Sequence, residues 1–352
     1  MPESQRPPPQ EIVLYHKDPT TKIATITLNR PNRLNAPTAA ARLRFSNLIR
    51  RADVDDEVKV LIIRGAGDHF GSGADLAEQA AMHSSAKTSV LHEFRIGEGE
   101  GVKYPPGDSY RYLASLTQLY ANSNFGMRSL QDFKKISILE VKGYCYGWHF
   151  YLAGDADLVI ASEEALFGHP SFRYAGWGPR MWTWATMMGL RKFEEMVFTG
   201  RPFTAREMYD CSFVNSVVPR AQLEAEVQKY AKACACTRPT DTVMMQKAFF
   251  EVFKQKQGEC MGSVLTGWLE SMLPLVKSEG EFELGEESFG RGLNHSVKDY
   301  DKLYPPEWRL SYGGRKGAPP QGELQQLRQR LAALQEQISA LQVKIHGLAA
   351  SS

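Results

Sequence analysis

The sequence predicts an α/β fold. Two β-branched strands, Val58-Lys59-Val60-Leu61-Ile62-Ile63-Arg64 and Ile136-Ser137-Ile138-Leu139-Glu140-Val141, each run into a turn of small residues that opens a helix. The turns are His69-Phe70-Gly71-Ser72-Gly73-Ala74-Asp75-Leu76 and Gly143-Tyr144-Cys145-Tyr146-Gly147-Trp148-His149-Phe150. From Ile12 to about Val217 strand and helix patterns alternate without a linker, which points to one core domain with C-terminal additions.

In chain order, residues 1–11 are polar and proline-rich and read as a flexible leader without the apolar segment of a secretory signal. Ile12 to Tyr15 and Thr21 to Leu28 alternate apolar and polar residues around the turn Asp18-Pro19-Thr20-Thr21, the pattern of a hairpin. A helix is expected from Thr38 to Ala52, and another from Ala74 to Ala81 after the first glycine turn. The segment 83–124 is long for a connection, with Gly97-Glu98-Gly99-Glu100-Gly101, Tyr104-Pro105-Pro106-Gly107-Asp108 and the aromatic stretch around Tyr110, Tyr112 and Tyr120. Such a segment is a lid or pocket wall, a subunit contact, or disordered.

The core is expected over 12–220 and a helical region over 221–311, with Ala221 to Ala235, Asp241 to Gln257 and Glu281 to Tyr300 as helices. The stretch 312–322 reads as a linker. Beyond it Leu324, Leu327, Leu331, Leu334, Ile338, Leu341, Ile345 and Leu348 alternate three and four apart, a coiled-coil seam over 323–349 or the apolar face of an ordinary helix.

Composition narrows the function. Of the 352 residues 43% are hydrophobic, enough for a sizeable core, and no run of about 18 apolar residues is present to cross a membrane. A cytoplasmic location is expected. The 5 cysteines show neither metal-ligand nor redox spacing, so reduced, packed thiols and no metal are expected. A net charge of +2 gives no reason to expect a nucleic-acid partner.

Five motifs in register resemble the crotonase superfamily, the enoyl-CoA hydratase and isomerase group. They are Leu28-Asn29-Arg30-Pro31-Asn32-Arg33-Leu34-Asn35-Ala36, Gly73-Ala74-Asp75-Leu76, Gly143-Tyr144, Ala156-Asp157-Leu158-Val159-Ile160-Ala161-Ser162 and Ala165-Leu166-Phe167-Gly168-His169-Pro170. The match runs from about Ile12 to about Trp308. It implies a ββα superhelix, an acyl-CoA thioester substrate with coenzyme A as part of it and no bound cofactor, and C-terminal helices that assemble trimers or paired trimers.

The resemblance implies that backbone N–H groups of Ser72 and Trp148 form an oxyanion hole; losing one such donor typically costs about 10²- to 10³-fold in rate. It also places Arg33, Asp75, Leu76, Ser171 and Arg173 on the substrate side, with Arg30, Arg33 and Arg64 as candidate cations for the CoA phosphates. Trp148 stands where the family commonly has glycine, and its indole either lines the acyl pocket or packs in the core. The two glutamates of a common hydratase fall on Tyr151 and Ser171, which leaves water addition by a glutamate pair without its bases.

Helical geometry suggests replacements. Tyr151 and Asp155, three and seven residues beyond Trp148, share its face. Asp155, among Leu152, Ala153, Ala156 and Leu158, is either functional or a structural carboxylate held by an arginine such as Arg173. Arg173 and Arg180 either anchor a polar acyl group or pair with Asp155 or Asp157. His169, two residues before Ser171 on an extended segment, faces the same side and is a base, a water-holder or a structural histidine. His149 lies about 100° around the helix from Trp148, in a supporting place. His69 is expected at the surface near the CoA.

Three functions follow. The first is a hydratase-type lyase using Tyr151, Asp155 and His169. The second is a carbon-carbon hydrolase of the retro-Claisen type acting on a β-diketone or cyclic oxo-acyl-CoA. The third is a silent scaffold.

Overall fold

The computed structural model describes residues 7–75, 101–106, 109–112, 114–115, 130–173, 178, 180–272, 298–316 and 338. It contains two compact units, residues 1–299 and 300–352. The leader before residue 7, the helix expected beyond Asp75, most of the 83–124 segment, most of Glu281 to Tyr300 and the coiled-coil helix apart from Ile338 lie outside the described residues, as does Leu76.

In the first unit a short helix α1 (Pro9–Ile12) leads into β1 (Val13–Asp18) and β2 (Ile23–Leu28), the expected antiparallel hairpin, with Val13 opposite Leu28. Helix α2 (Ala39–Val54) starts where Thr38 accepts the Ala41 N–H at 3.2 Å, which satisfies one of the amides a helix start leaves over. Then come β3 (Val60–Gly65), β4 (Ile136–Val141), β5 (Tyr144–Tyr146), α3 (Trp148–Asp155), β6 (Leu158–Ser162) and β7 (Leu166–Gly168). They are followed by α4 (Met181–Met188), α5 (Leu190–Thr199), β8 (Phe203–Thr204), α6 (Ala205–Asp210) and β9 (Ser216–Val218). Helices α7 (Leu223–Cys236), α8 (Thr240–Lys256) and α9 (Glu259–Ser271) close the unit.

The strands form a six-stranded sheet, β1-β2-β3-β4-β6-β9, parallel from β2 onward, and a three-stranded sheet, β5-β7-β8. Strands β4 and β6 of the large sheet are each followed by a short strand of the small one, β5 and β7, and β5 leads into α3. This is the ββα repeat.

Burial on both faces explains the continuous apolar runs of β3 and β4. Val60, Ile62, Ile136 and Ile138 face Leu223, Val227 and Ala231 of α7, while Leu61, Ile63, Leu139 and Val141 enter the main core with Phe45, Phe150 and Trp184. Asp157, at the start of β6, is held by Ser137 Oγ at 2.9 Å and by Lys247 Nζ, 2.6 Å from Oδ1, so its partner is a lysine and not an arginine. In the second unit, Asp301 Oδ1 accepts the Leu310 N–H at 2.8 Å and Arg309 Nη1 reaches the Gly314 carbonyl at 3.1 Å.

Candidate active site

The two glycine turns lie side by side. Phe70 N–H donates to the Lys142 carbonyl at 2.7 Å, Gly71 N–H to Tyr144 at 2.7 Å, and Tyr146 N–H back to Gly71 at 2.9 Å, so the first turn adds a bridge to β5. The close approach needs glycine at two places. Gly73 (φ +103°) and Gly147 (φ +56°) both lie in the left-handed half of backbone space, and a Cβ on Gly147 would sit 3.1 Å from Gly73 Cα.

Histidines fasten the turns in both directions. His69, on the first turn, accepts the Tyr144 N–H at Nδ1 (3.1 Å) and stacks on the Tyr144 ring, centroids 4.2 Å apart. It is a half-buried clasp between the turns, which corrects the expectation of a surface residue, and burial lowers its pKa. His149, on α3, accepts the Gly73 N–H at Nδ1 (3.1 Å), so its ring proton resides on Nε2. The Nε2 edge faces Gly71, where a Cβ would lie 2.0 Å away. Burial lowers the His149 pKa to about 3, the Tyr146 and Asn35 backbone carbonyls acting in the opposite sense.

A third tie comes from the Leu28–Ala36 loop. Asn35 Nδ2 donates to the Ala66 and His69 carbonyls at 2.9 and 2.8 Å, and Arg30 Nη1 meets Asp75 Oδ2 at 2.6 Å and the Ala36 carbonyl at 2.9 Å. Arg30 and Asp75 thus brace the first turn. Arg64 reaches Glu224 at 3.2 Å, while Arg33 is exposed at the end of the turn Pro31–Arg33.

The oxyanion expectation is corrected at Ser72. Its N–H donates to the Leu34 carbonyl at 2.9 Å, a bond within the brace just described, and is therefore consumed. Trp148 is the first residue of α3, where the positive end of the helix dipole lies. Its indole is buried edge-on against Phe45, centroids 5.2 Å apart, which settles it as core packing.

One helical turn further on stands Tyr151. Its hydroxyl lies 2.7 Å from His169 Nε2, and the Ser171 hydroxyl is hydrogen-bonded to His169 Nδ1. The phenol and imidazole rings stack, with centroids 5.3 Å apart, and Trp184 lies against both, 5.4 Å from Tyr151 and 5.6 Å from His169. Burial of the imidazole pushes the His169 pKa down to about 3, which keeps it neutral. A neutral imidazole carries one proton and one lone pair, so the chain Tyr151–His169–Ser171 can take up a proton at one hydroxyl while releasing one at the other.

Asp155 is not in this chain. It pairs with the Arg180 guanidinium, which also reaches Glu259 Oε1 at 3.3 Å and Ser263 Oγ at 3.2 Å. Thr183, Ser263 and Gln131 donate to the same Glu259 oxygen at 2.8, 3.0 and 3.1 Å. The catalytic expectation for Asp155 is therefore replaced by a structural one, with Arg180 as the partner in place of Arg173. Arg173 Nε donates to the Gly200 carbonyl at 2.8 Å. Glu259 and Trp184 escaped sequence reasoning: both lie on helices after the motifs, and their only signals were an isolated carboxylate and an aromatic run.

Comparison with known proteins places this architecture. The profile of the enoyl-CoA hydratase/isomerase family matches residues 18–95 and 112–262. The chain belongs to that family. Among curated relatives it is similar to mevalonyl-coenzyme A hydratase sidH of Aspergillus fumigatus, 25% identical over 299 residues that cover 83% of this chain and 93% of that one. It is also similar to enoyl-CoA delta isomerase 2 of Rattus norvegicus, 28% identical across 66% of this chain and 54% of the isomerase.

Solved structures share the crotonase fold. An enoyl-CoA hydratase/isomerase from Xanthobacter autotrophicus Py2 superposes with a TM-score of 0.64 at 24% identity, covering 84% of this chain and 98% of that one. A probable enoyl-CoA hydratase from Mycobacterium thermoresistibile gives 0.58 at 27% identity, covering 74% and 96%. Among the described residues no helix is long and apolar enough to cross a membrane, and no cluster of side chains fit to hold a metal is found.

Proposed function

We propose that this member of the enoyl-CoA hydratase/isomerase family is a hydratase-type lyase acting on an enoyl-CoA thioester, with Tyr151, His169 and Ser171 as its acid-base set. The observation that carries the reading is the hydrogen-bonded chain itself: the two positions that resemblance assigns to carboxylates are occupied by hydroxyls, and one imidazole joins them.

The chemistry follows from neutrality. Water adding to the double bond must lose a proton at oxygen as the α-carbon gains one. A relay of two hydroxyls and a neutral imidazole performs both transfers together, without forming a charged side chain in a buried place. The Trp148 N–H, at the start of α3, supports negative charge developing on the thioester oxygen. Arg33 is the exposed cation suited to the CoA phosphates.

Incubation with a panel of enoyl-CoA and oxo-acyl-CoA thioesters, read by mass and chromatography, tests the reading. Gain of one water with the carbon chain intact is expected. Gain of water with chain scission assigns the site to carbon-carbon hydrolysis instead. CoA binding without any turnover assigns it to a scaffold.

A further inference from the structure

The chain Tyr151–His169–Ser171 also has the composition of a nucleophile and its base. Ser171 enters it from the 3-10 turn Pro170–Arg173, where the Phe172 N–H donates to the His169 carbonyl at 3.0 Å. The turn curls the serine back, so that its hydroxyl meets Nδ1 of the imidazole two residues before it. That ring is held on its flanks by Tyr151, Phe172 and Trp184, with centroids 5.3, 5.2 and 5.6 Å from its own. With the imidazole proton on Nε2, the serine donates to the Nδ1 lone pair, which is the arrangement of an activated nucleophile. Ser171 is half-buried whereas Tyr151 is only 7% exposed, so the serine is the more open end of the chain.

A serine triad places a carboxylate behind its histidine, but here Nε2 meets the Tyr151 phenol at 2.7 Å. The three aromatic neighbours carry no charge, so none of them stabilises an imidazolium. A proton received at Nδ1 is therefore passed on from Nε2 in the same step, and Tyr151 is placed to take it and to release its own. Water addition needs a carbon–carbon double bond. Attack by Ser171 needs only the thioester carbonyl.

We propose that this site also hydrolyses saturated acyl-CoA thioesters through an ester on Ser171. Ser171 Oγ attacks the thioester carbonyl as its proton goes to His169 Nδ1, the Nε2 proton to the Tyr151 oxygen and the Tyr151 proton to sulfur. The carbon–sulfur bond breaks and CoA leaves as the thiol. Water then takes the place of the thiol and attacks the ester. Protons run back from water to Tyr151, from Tyr151 to Nε2 and from Nδ1 to Ser171 Oγ, and the carboxylic acid departs. The sum is acyl-CoA and water in, acid and thiol out. The Trp148 N–H, at the start of α3 and one turn before Tyr151, supports the oxyanion in both halves. The inference rests on the acyl-CoA reading above and on the same three residues, and it does not depend on hydration.

Butanoyl-CoA separates the two activities, because it has no double bond to hydrate. On the full chain a thiol reagent should show release of CoA, and protein quenched during turnover should carry one butanoyl group on Ser171 by peptide mass. The ester is expected to accumulate, since a thiolate leaves more readily than the alkoxide of serine. Ser171→Ala should lower release by about 10²-fold or more and lose the label. The label on the parent protein is read whether or not the variant folds. Release that survives Ser171→Ala, or release with no acyl group on Ser171 at any quench time, overturns the serine ester. Hydration of but-2-enoyl-CoA with butanoyl-CoA left intact overturns this activity and keeps the hydratase reading. Cleavage of butanoyl-CoA with labelled Ser171 and no hydration of but-2-enoyl-CoA does the reverse, and inertness towards both thioesters overturns the two together.

Discussion

Three side chains linked through His169 hold the proposed chemistry, and a loss at Tyr151 should differ in kind from one at Asp155, which lies outside the chain. Tyr151→Phe removes the hydroxyl at one end of the relay while keeping the ring that stacks on His169, so turnover should fall by about 10² or more with little change in stability. Steady-state kinetics beside a denaturation curve separates the two effects. Asp155→Asn should behave in the opposite way. It strips the negative partner from a buried guanidinium, a change that typically costs about 3–5 kcal/mol in stability, and should leave turnover of the folded fraction near that of the parent. Equal turnover losses in both variants would return Asp155 to the chemistry.

At the scale of elements, β3 and β4 were legible in the sequence because buried parallel strands are continuous apolar runs that glycine turns punctuate, whereas the ββα order was implied by the family resemblance and β5 lay hidden in what reads as a turn. Val60–Gly65 and Ile136–Val141 lie where those runs predict. The alignment of Tyr151 with His169 was only half legible. Helical period placed Tyr151 facing inward, but His169 and Ser171 sit in and beside a 3-10 turn, Pro170–Arg173, where a period-two argument has no hold. Ser72 illustrates a different limit. A motif locates an amide along the chain, but whether a carbonyl such as that of Leu34 has claimed it depends on a loop nearly forty residues away. Gly71→Ala tests the packing of the turns directly: its Cβ would meet the His149 ring, forcing it off Gly73, and a loss of about 1–3 kcal/mol together with activity is expected. Urea unfolding and kinetics on the same preparation check it.

For the whole molecule, two histidines whose pKa values are lowered, the buried His149 and the half-buried His169, set the response to acid. His149 and His169 have folded-state pKa values near 3, below the ordinary value of 6.5, so between these limits the unfolded chain binds more protons than the folded one. Stability should be fully present above pH 6.5 and decline as pH falls towards 3, by up to about 1.4 kcal/mol per pH unit for each histidine. Urea midpoints across that range measure the slope, and a flat profile would contradict the burial of both rings. Assembly is the other property of this scale. Helix α8 exposes Met245 (72%) and Phe249 (65%), side chains that a lone chain rarely leaves in water together, and the trimer or paired trimers implied by family resemblance would cover them. Phe249→Glu and, separately, deletion of the chain beyond Gly317 should each lower the mass read by light scattering.

The clasp formed by His69 and His149 bears on how the polypeptide is born. The Gly73 amide waits for an acceptor 76 residues downstream, and His69 waits 75 residues for the amide it receives. A nascent chain leaving the ribosome therefore holds its first glycine bend only by the upstream brace of Arg30, Leu34 and Asn35 until His149 has emerged, and the working geometry is completed by a late, long-range closure.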